Sequence, residues 1–510
     1  MVAGVCRRFG CDTPVPKAGM IDELREFTRK WLSDNLTPLS PDSDVTLEAW
    51  LEGTNYPAWR KDELRKCESE LRGIKSDPRS YYKCKSFMKD ECYPAYKHAR
   101  GINARSDQFK LTVGPIFKLI EKELFKLKYF IKKVPVADRP KFIMERLKRA
   151  GAKYLQTDYT SFEALFTEEM MEAVEFQLYD YMTSFLPLGR FFMSLLEEVL
   201  LEENHCSYKG FSVWLKATRM SGEMCTSLGN SFANLMFMLF LCSKRGCTDV
   251  DGEVEGDDGL FVMNGTPPTT QDFADLGLVI KIVVFDELSD ASFCGLVFDE
   301  EDLCNVTDPR KVLASFGWTS RQYASAGPRL LKGLLRCKAM SLAYQFPGCP
   351  VLAALARYGL RVTEGAQGKA KRIVRCHRMA QYNRDFLVEA FENNIPDKPV
   401  GNRTRYLVER LYGITVEHQL IIEQYLENLN GLVELSLPII GIYMDPAWSD
   451  YFARYAICLP YTVGEGKATR PSPTLSYPPF NWPLVNKDRD IVWKILDLHG
   501  PKPRSTRLPS

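Results

Sequence analysis

The chain has 510 residues, 45% hydrophobic and 26% charged, with a formal net charge of +2. That is ordinary globular composition in a length sufficient for two or three domains or one large multi-lobed unit. It excludes a globally basic nucleic-acid binder, so any nucleic-acid contact must come from local clusters of Lys and Arg, which crowd the segment from Lys83 to Lys110 and recur from Arg357 to Arg384.

The 15 cysteines are odd in number and lack a CxxC pair or a paired Cys/His zinc spacing. They read as reduced thiols of a cytosolic compartment. The start, Met1 to Arg8, has no apolar core after its charges and is not a secretory signal. The longest apolar run, Phe232 to Cys242, is too short to span a bilayer and reads as a buried helix.

In chain order, helical spacing of Leu24, Phe27, Trp31 and Leu32 predicts a helix over Ile21 to Leu36, ended by Pro38 and Pro41. A second amphipathic helix is expected over Arg60 to Leu71, then basic, aromatic strands and loops from Tyr82 to Arg105, then a helix from Gly114 to Tyr129. Tyr154 to Asp158 reads as a short buried strand ending in a carboxylate. Thr167 to Phe185 reads as a helix, Tyr208 to Ala217 as a hairpin around Lys209-Gly210, and Ser227 to Leu241 as a long helix. Val250 to Met263 is expected to form a hairpin with Gly256-Asp257-Asp258 at its turn. A helix and strand follow over Phe273 to Phe285, and one more strand over Ser292 to Phe298. Helical patterns dominate from Leu330 to about Leu435, and the tail from Gly464 is rich in proline. The middle third is therefore a mixed sheet with packed helices, flanked by mostly helical material.

Four features carry chemistry. Asp257 and Asp258 are adjacent like charges at a turn, an arrangement that divalent cations relieve; alone, the tripeptide also fits a plain Asp-Gly hairpin turn. Asp158 at a strand end suits a second metal anchor or the N-cap of a following helix. Ser221-Gly222 gives a flexible loop, and Thr226 and Asn230 then share one helix face as a small polar stripe, against the plain alternative of a core-packed helix. Lys83, Lys85, Lys89, Lys97, Arg100 and Arg105, interleaved with Tyr81, Tyr82, Phe87, Tyr93 and Tyr96, suit phosphate contacts or a solvated loop.

In this order the residues resemble the RNA-dependent RNA polymerases of positive-strand RNA viruses. Asp158-Tyr159-Thr160-Ser161-Phe162-Glu163 is similar to the family's first palm motif, Ser221-Gly222 through Thr226 to Asn230 to its second, and Gly256-Asp257-Asp258 to its third. Lys281 matches a fourth-motif lysine or is a sheet-edge lysine; Phe293-Cys294-Gly295 resembles the fifth motif, and Lys85 through Arg105 the fingertip motif that grips the incoming triphosphate. Arg219-Met220-Ser221-Gly222 and Thr226-Ser227-Leu228-Gly229-Asn230 resemble the tombusvirus-like and nodavirus-like groups most.

The resemblance implies an α+β right-hand fold. Fingers and fingertips would span 1–150, a mostly antiparallel palm with packed helices 151–166 and 216–307, a fingers insertion 167–215, a mainly helical thumb 308–463 and a proline-rich tail 464–510. It further implies RNA-templated RNA synthesis with two Mg²⁺ or Mn²⁺ ions on Asp158, Asp257 and Asp258. Lys281 would act as a proton donor, with Lys85, Lys89, Arg100 and Arg105 on phosphates. Glu163, Ser221, Gly222, Thr226 and Asn230 would lie around the nucleotide and template. Glu163 stands where many relatives carry Asp, which loosens the expectation for ribose selection. Implied partners are template and nascent RNA, ribonucleoside triphosphates and other viral replication proteins. The implied setting is the host cytoplasm in a membrane-associated complex, with no span of the chain's own. A reverse transcriptase is the nearest alternative, although Glu255-Gly256 precede the Asp pair here; a non-catalytic RNA-binding scaffold with a degenerate palm is the other.

Overall fold

The computed structural model describes residues 1–510 except 11, 72–79, 90–96, 321–322, 324, 377–380, 393–394, 434, 436, 444–446, 449–455, 459–479 and 484–510. The architecture is mixed α+β, with several small sheets and many helices.

The first helix, α1 (Val2–Phe9), is followed by helices Met20–Asn35, Leu47–Glu52 and Ala58–Leu71. Strands β1 (Lys83–Met88) and β2 (Gly101–Arg105) pair antiparallel, and helix Asp107–Leu124 follows, capped by Ser106. Strand β3 (Lys153–Tyr159) leads to two short helices, Glu168–Ala173 and Glu175–Thr183, where one continuous helix was expected. The break falls at Val174, whose ψ of -78° interrupts the helical run. A hairpin of β4 (Glu203–Tyr208) and β5 (Phe211–Lys216) turns at Lys209-Gly210 as the sequence implies. Next come the long helix Thr226–Lys244, the hairpin β6 (Thr248–Glu255) and β7 (Asp258–Asn264), helix Thr270–Asp275 and strand β8 (Ile280–Phe285). From Pro309 onward helices dominate up to Tyr443, with two apolar cores of their own around Leu355 and around Ile373.

Two sheets position the site. The first has five strands in the order Phe480–Pro483, β5, β4, β1, β2. The four tail residues thus lie at its edge, parallel to β5; the rest of the tail beyond Gly464 lies outside the described residues. The second has four antiparallel strands in the order β6, β7, β3, β8.

Period-two alternation splits the second sheet's side chains between two apolar layers. Leu155, Phe261 and Met263 join the large core beneath the Thr226–Lys244 helix. Tyr154, Leu260 and Val262 join a separate cluster with Ile143, Leu288 and Phe293. With both faces covered, the register of β3 against β7 and β8 is strongly specified, because a one-residue slip would exchange the two layers.

One expected strand is corrected. Ser292 to Phe298 is not extended throughout; only Val297–Phe298 is strand, paired with Asn305–Val306. Before it, Phe293 and Leu296 exchange backbone hydrogen bonds of 2.9 and 3.0 Å across Cys294 and Gly295, whose φ angles are +52° and +73°. Two central residues at positive φ make a tight primed turn, which apolar alternation in the sequence does not reveal.

Candidate active site

β3 and β7 bring the carboxylates together. Thr157 is the register partner of Gly259, so Asp158 and Asp258 fall at neighbouring ends of the two central strands. Asp158 in turn is paired with Lys281 on β8. Directly opposite residues share a sheet face, so this acid and this cation stand side by side. Asp158 is not a helix N-cap; Thr167 caps the helix that follows.

A cleft of about 270 Å³ lies over this face, lined by Gln156, Asp158, Asp258 and the Ser292–Gly295 turn. Gln156 accepts a 2.9 Å hydrogen bond from the Ser292 amide and so ties the turn to β3. Burial, then the charges of Asp257, Asp158 and Glu255, push the Asp258 carboxyl up to about 6, against a smaller opposing hydrogen bond from Cys294. Asp257 is solvent-accessible at the tip of the turn, yet surrounding protein and the Glu163 charge also raise its pKa, while Arg100 and Arg8 oppose the rise. Glu255, the register partner of Asp258, is taken by Arg139 at 2.7 Å.

The turn itself is held from below. Gly256 has a φ of +65°, the left-handed region that a side chain disfavours. Its amide donates to Ser231 Oγ at 2.8 Å, and Asn234 Nδ2 donates to the carbonyls of Gly256 at 3.2 Å and Asp258 at 3.0 Å. Ser231 and Asn234 are buried on the long helix, three positions apart on one face. Sequence reasoning stopped at Asn230 and missed both, as it missed Gln156. The signal was present: polar side chains inside an otherwise apolar helix need buried partners.

Asn234→Ala removes the side-chain donor shared by two backbone carbonyls, at about 0.5–1.5 kcal/mol for each hydrogen bond lost. We expect lowered unfolding stability and a turn that no longer holds Asp257 in place, read as a lower urea midpoint together with weaker nucleotide incorporation. A variant with wild-type values of both would show that the turn holds itself.

The second-motif residues form a tight loop. Gly222 has a φ of +121°, and a Cβ there would stand 3.0 Å from the Asn103 carbonyl oxygen of β2. Ser221 accepts the Asn103 amide at 2.7 Å, and Thr226 Oγ1 both donates to the Met220 carbonyl at 3.0 Å and accepts the Gly222 amide at 3.3 Å. Asn230 is 5% exposed, and its Oδ1 has no protein partner. Glu163 accepts from the Ser221 hydroxyl at 2.8 Å and from Arg8, a residue of α1 that the sequence reading did not single out. Burial works against its ionisation, but Arg8 and these hydrogen bonds outweigh it and hold the carboxyl below its ordinary range.

The basic tract divides. Lys83 and Lys85 alternate on the exposed face of β1, and the Lys89 amide donates to the Arg100 carbonyl at 2.8 Å, extending the β1–β2 pairing. Arg100 lines a larger cleft of about 540 Å³ with Arg7, Arg8, Lys97, Thr160 and Ser161. Tyr93 and Tyr96 lie outside the described residues.

Arg105, expected on phosphates, is buried. Its side chain is 1% exposed and bonded to Glu223 at 2.5 and 2.8 Å, to the Tyr81 carbonyl and to Asn204. Four of the five guanidinium N–H donors are thus committed to buried protein acceptors, which leaves at most one for any other ligand. It braces β2, β4 and the Ser221 loop instead.

The described residues hold no three His, Cys, Asp or Glu side chains drawn together as a closed metal cage. The donor set nevertheless suits Mg²⁺, which is commonly held by one or two carboxylates with waters and substrate phosphates completing its shell.

Residues 140–340 match the viral RNA-dependent RNA polymerase family. The chain is 25% identical over 284 residues to the RNA-directed RNA polymerase of Atlantic halibut nervous necrosis virus, covering 53% of this chain and 28% of that protein. It is 29% identical over 147 residues to the enzyme of greasy grouper nervous necrosis virus, covering 28% and 15%, and 27% identical over 214 residues to that of striped jack nervous necrosis virus, covering 39% and 21%. The aligned stretch therefore spans less than a third of each relative's own length. The matched stretch, residues 140–340, carries both aspartate-bearing strands, the Ser221 loop and the Cys294 turn, so it is this part of the chain that is similar to the viral RNA-dependent RNA polymerase family and, distantly, to the nervous necrosis virus enzymes.

Proposed function

We propose that the chain synthesises RNA on an RNA template from ribonucleoside triphosphates, replicating a viral genome. The observation that carries this reading is the meeting of Asp158 and Asp258 in one cleft, with Asp257 beside them and Lys281 across from Asp158. In this reading the sheet of β3, β6, β7 and β8 is the palm, the sheet of β1, β2, β4 and β5 with its helices is the fingers, and the helices from Pro309 are the thumb. The same reading places the chain in the host cytoplasm with template RNA and other viral proteins. Among the described residues no helix is long and apolar enough to cross a membrane.

Asp158 and Asp257 would hold two Mg²⁺ or Mn²⁺ ions, with Asp258 assisting. Such ions, when bound, activate a 3′-hydroxyl and neutralise triphosphate charge. Arg100, on the wall of the 540 Å³ cleft, is placed to attract the triphosphate. Lys281 would give its proton to the departing pyrophosphate. The orphan Oδ1 of Asn230 offers an acceptor for a ligand hydroxyl. Synthesis of RNA but not DNA on short RNA templates, primed and unprimed, tests the assignment; preferential use of dNTPs would make the chain a reverse transcriptase, and no synthesis with either metal would leave a scaffold.

Metal dependence has a pH signature. Asp258 is raised from its ordinary 3.8 to about 6, so its protonated form favours the folded state. That contribution is present in full below the ordinary carboxylate range and is lost as pH rises through about 6. Ionised Asp258 then repels its neighbours, and Mg²⁺ relieves the repulsion. We expect Mg²⁺ to raise the melting temperature more at pH 7.5 than at pH 5, and EDTA to remove the difference. Equal increments at both pH values would argue against a metal on these carboxylates.

A further inference from the structure

α1 is anchored by packing. Val5, Cys6 and Phe9 are buried against Cys84, Cys206, Phe211 and Met220, and against Ala164 from the segment that follows Asp158. Gly4 lets the helix lie directly against the chain before β2: a Cβ there would stand 2.6 Å from the Ala99 carbonyl oxygen. The helix thereby forms one wall of the 540 Å³ basic cleft, with Thr160 and Ser161 on another. From this wall Arg8 reaches one carboxylate oxygen of Glu163, and Ser221 donates to the other at 2.8 Å. The Arg8 and Glu163 side chains are 14% and 13% exposed, so the pair is largely shielded from solvent.

A carboxylate clamped at both oxygens has one orientation. It has about four lone-pair sites, and with Arg8, the Ser221 hydroxyl and its own backbone amide as donors it keeps room for about one more hydrogen bond in a fixed direction. Without Arg8, Glu163 would keep the Ser221 hydroxyl and its own backbone amide but carry a largely buried charge with no cation on it, a state that favours rotation or protonation. Both members of the pair act on Asp257 with opposite sign, which places them within electrostatic reach of the aspartate turn.

We propose that Arg8 is a positioning residue for sugar selection: it fixes Glu163 as the acceptor for the 2′-hydroxyl of the incoming ribonucleotide. The inference rests on the polymerase reading and adds to it a residue outside the family-matched stretch. The glutamate, one methylene longer than aspartate, needs such a brace because its extra rotatable bond would otherwise scatter the carboxylate.

The test is single-nucleotide incorporation of ATP against dATP by the full chain on an RNA template. Wild type, Arg8→Ala, Arg8→Lys, Glu163→Gln and the Arg8→Ala/Glu163→Gln double variant are compared, each with its urea midpoint. Arg8→Ala is expected to lower the ATP-to-dATP ratio of kcat/KM at least about tenfold, equivalent to ~1.4 kcal/mol, mainly through a higher KM for ATP. Arg8→Lys keeps the charge without the forked geometry and is expected to fall between the two. The double variant should discriminate no worse than Glu163→Gln alone. An unchanged ratio in Arg8→Ala, or equal losses for ATP and dATP, would overturn the inference; so would loss of folding in Arg8→Ala combined with full discrimination in Glu163→Gln. A wild-type chain that makes no RNA would overturn the polymerase reading, and the inference with it.

Discussion

Asp257→Ala is expected to abolish templated ribonucleotide incorporation, by at least about 10³-fold, equivalent to ~4 kcal/mol of transition-state stabilisation. It should do so without unfolding the chain. Asp257 sits at the tip of a turn whose geometry is set by Gly256 at positive φ and by the hydrogen bonds from Asn234 to the flanking carbonyls, none of which uses the Asp257 side chain. Its charge is also the foremost electrostatic cause of the raised Asp258 pKa. Removing it relieves like-charge repulsion, so the variant should melt at or slightly above the wild-type temperature and retain RNA binding, which depends on cations elsewhere. Primer-extension and primer-free assays on short RNA templates, with rNTPs and dNTPs and both proteins side by side, read the result. Retained synthesis by Asp257→Ala would remove the two-metal assignment altogether.

The parts of this site that were legible in the sequence are those whose signal is local. Gly-Asp-Asp between two alternating apolar runs can only be a hairpin tip, and the structure has β6 and β7 there. Asp158 near the end of an apolar strand was legible for the same reason. What the sequence hid is set by tertiary partners. Nothing in the spacing of Arg105 distinguishes it from Arg100, yet one is buried on Glu223 and the other lines a cleft. Arg8 is 155 residues away from its acid, beyond the reach of any periodicity argument. The Cys294 turn escaped because an apolar run gives no warning of two residues at positive φ.

The burial of Arg105 on Glu223 makes the second large prediction: Arg105→Met should destabilise the chain by about 3–5 kcal/mol, the usual cost of breaking a buried ion pair by removing one partner. Glu223 would be left with Arg219 as its nearest cation, at 3.7 Å, and Arg219 is already committed to Glu175. Asn204 and the Tyr81 carbonyl would lose their donor as well. Because Asn103, two residues earlier on β2, holds the Ser221 carbonyl, the damage should spread to the second-motif loop and lower incorporation as a whole. The double variant Arg105→Met/Glu223→Gln removes both charges and should recover part of the stability, so its cost falls below the sum of the single variants. Urea unfolding of the three proteins measures this. A residue that grips triphosphate gives the opposite pattern: wild-type stability with a raised KM for every nucleotide. That pattern is expected instead for Arg100→Ala, on the wall of the basic cleft. If Arg105→Met kept its stability and bound nucleotide tenfold worse, Arg105 would return to the substrate and the buried pair with Glu223 would be a resting arrangement of the free chain.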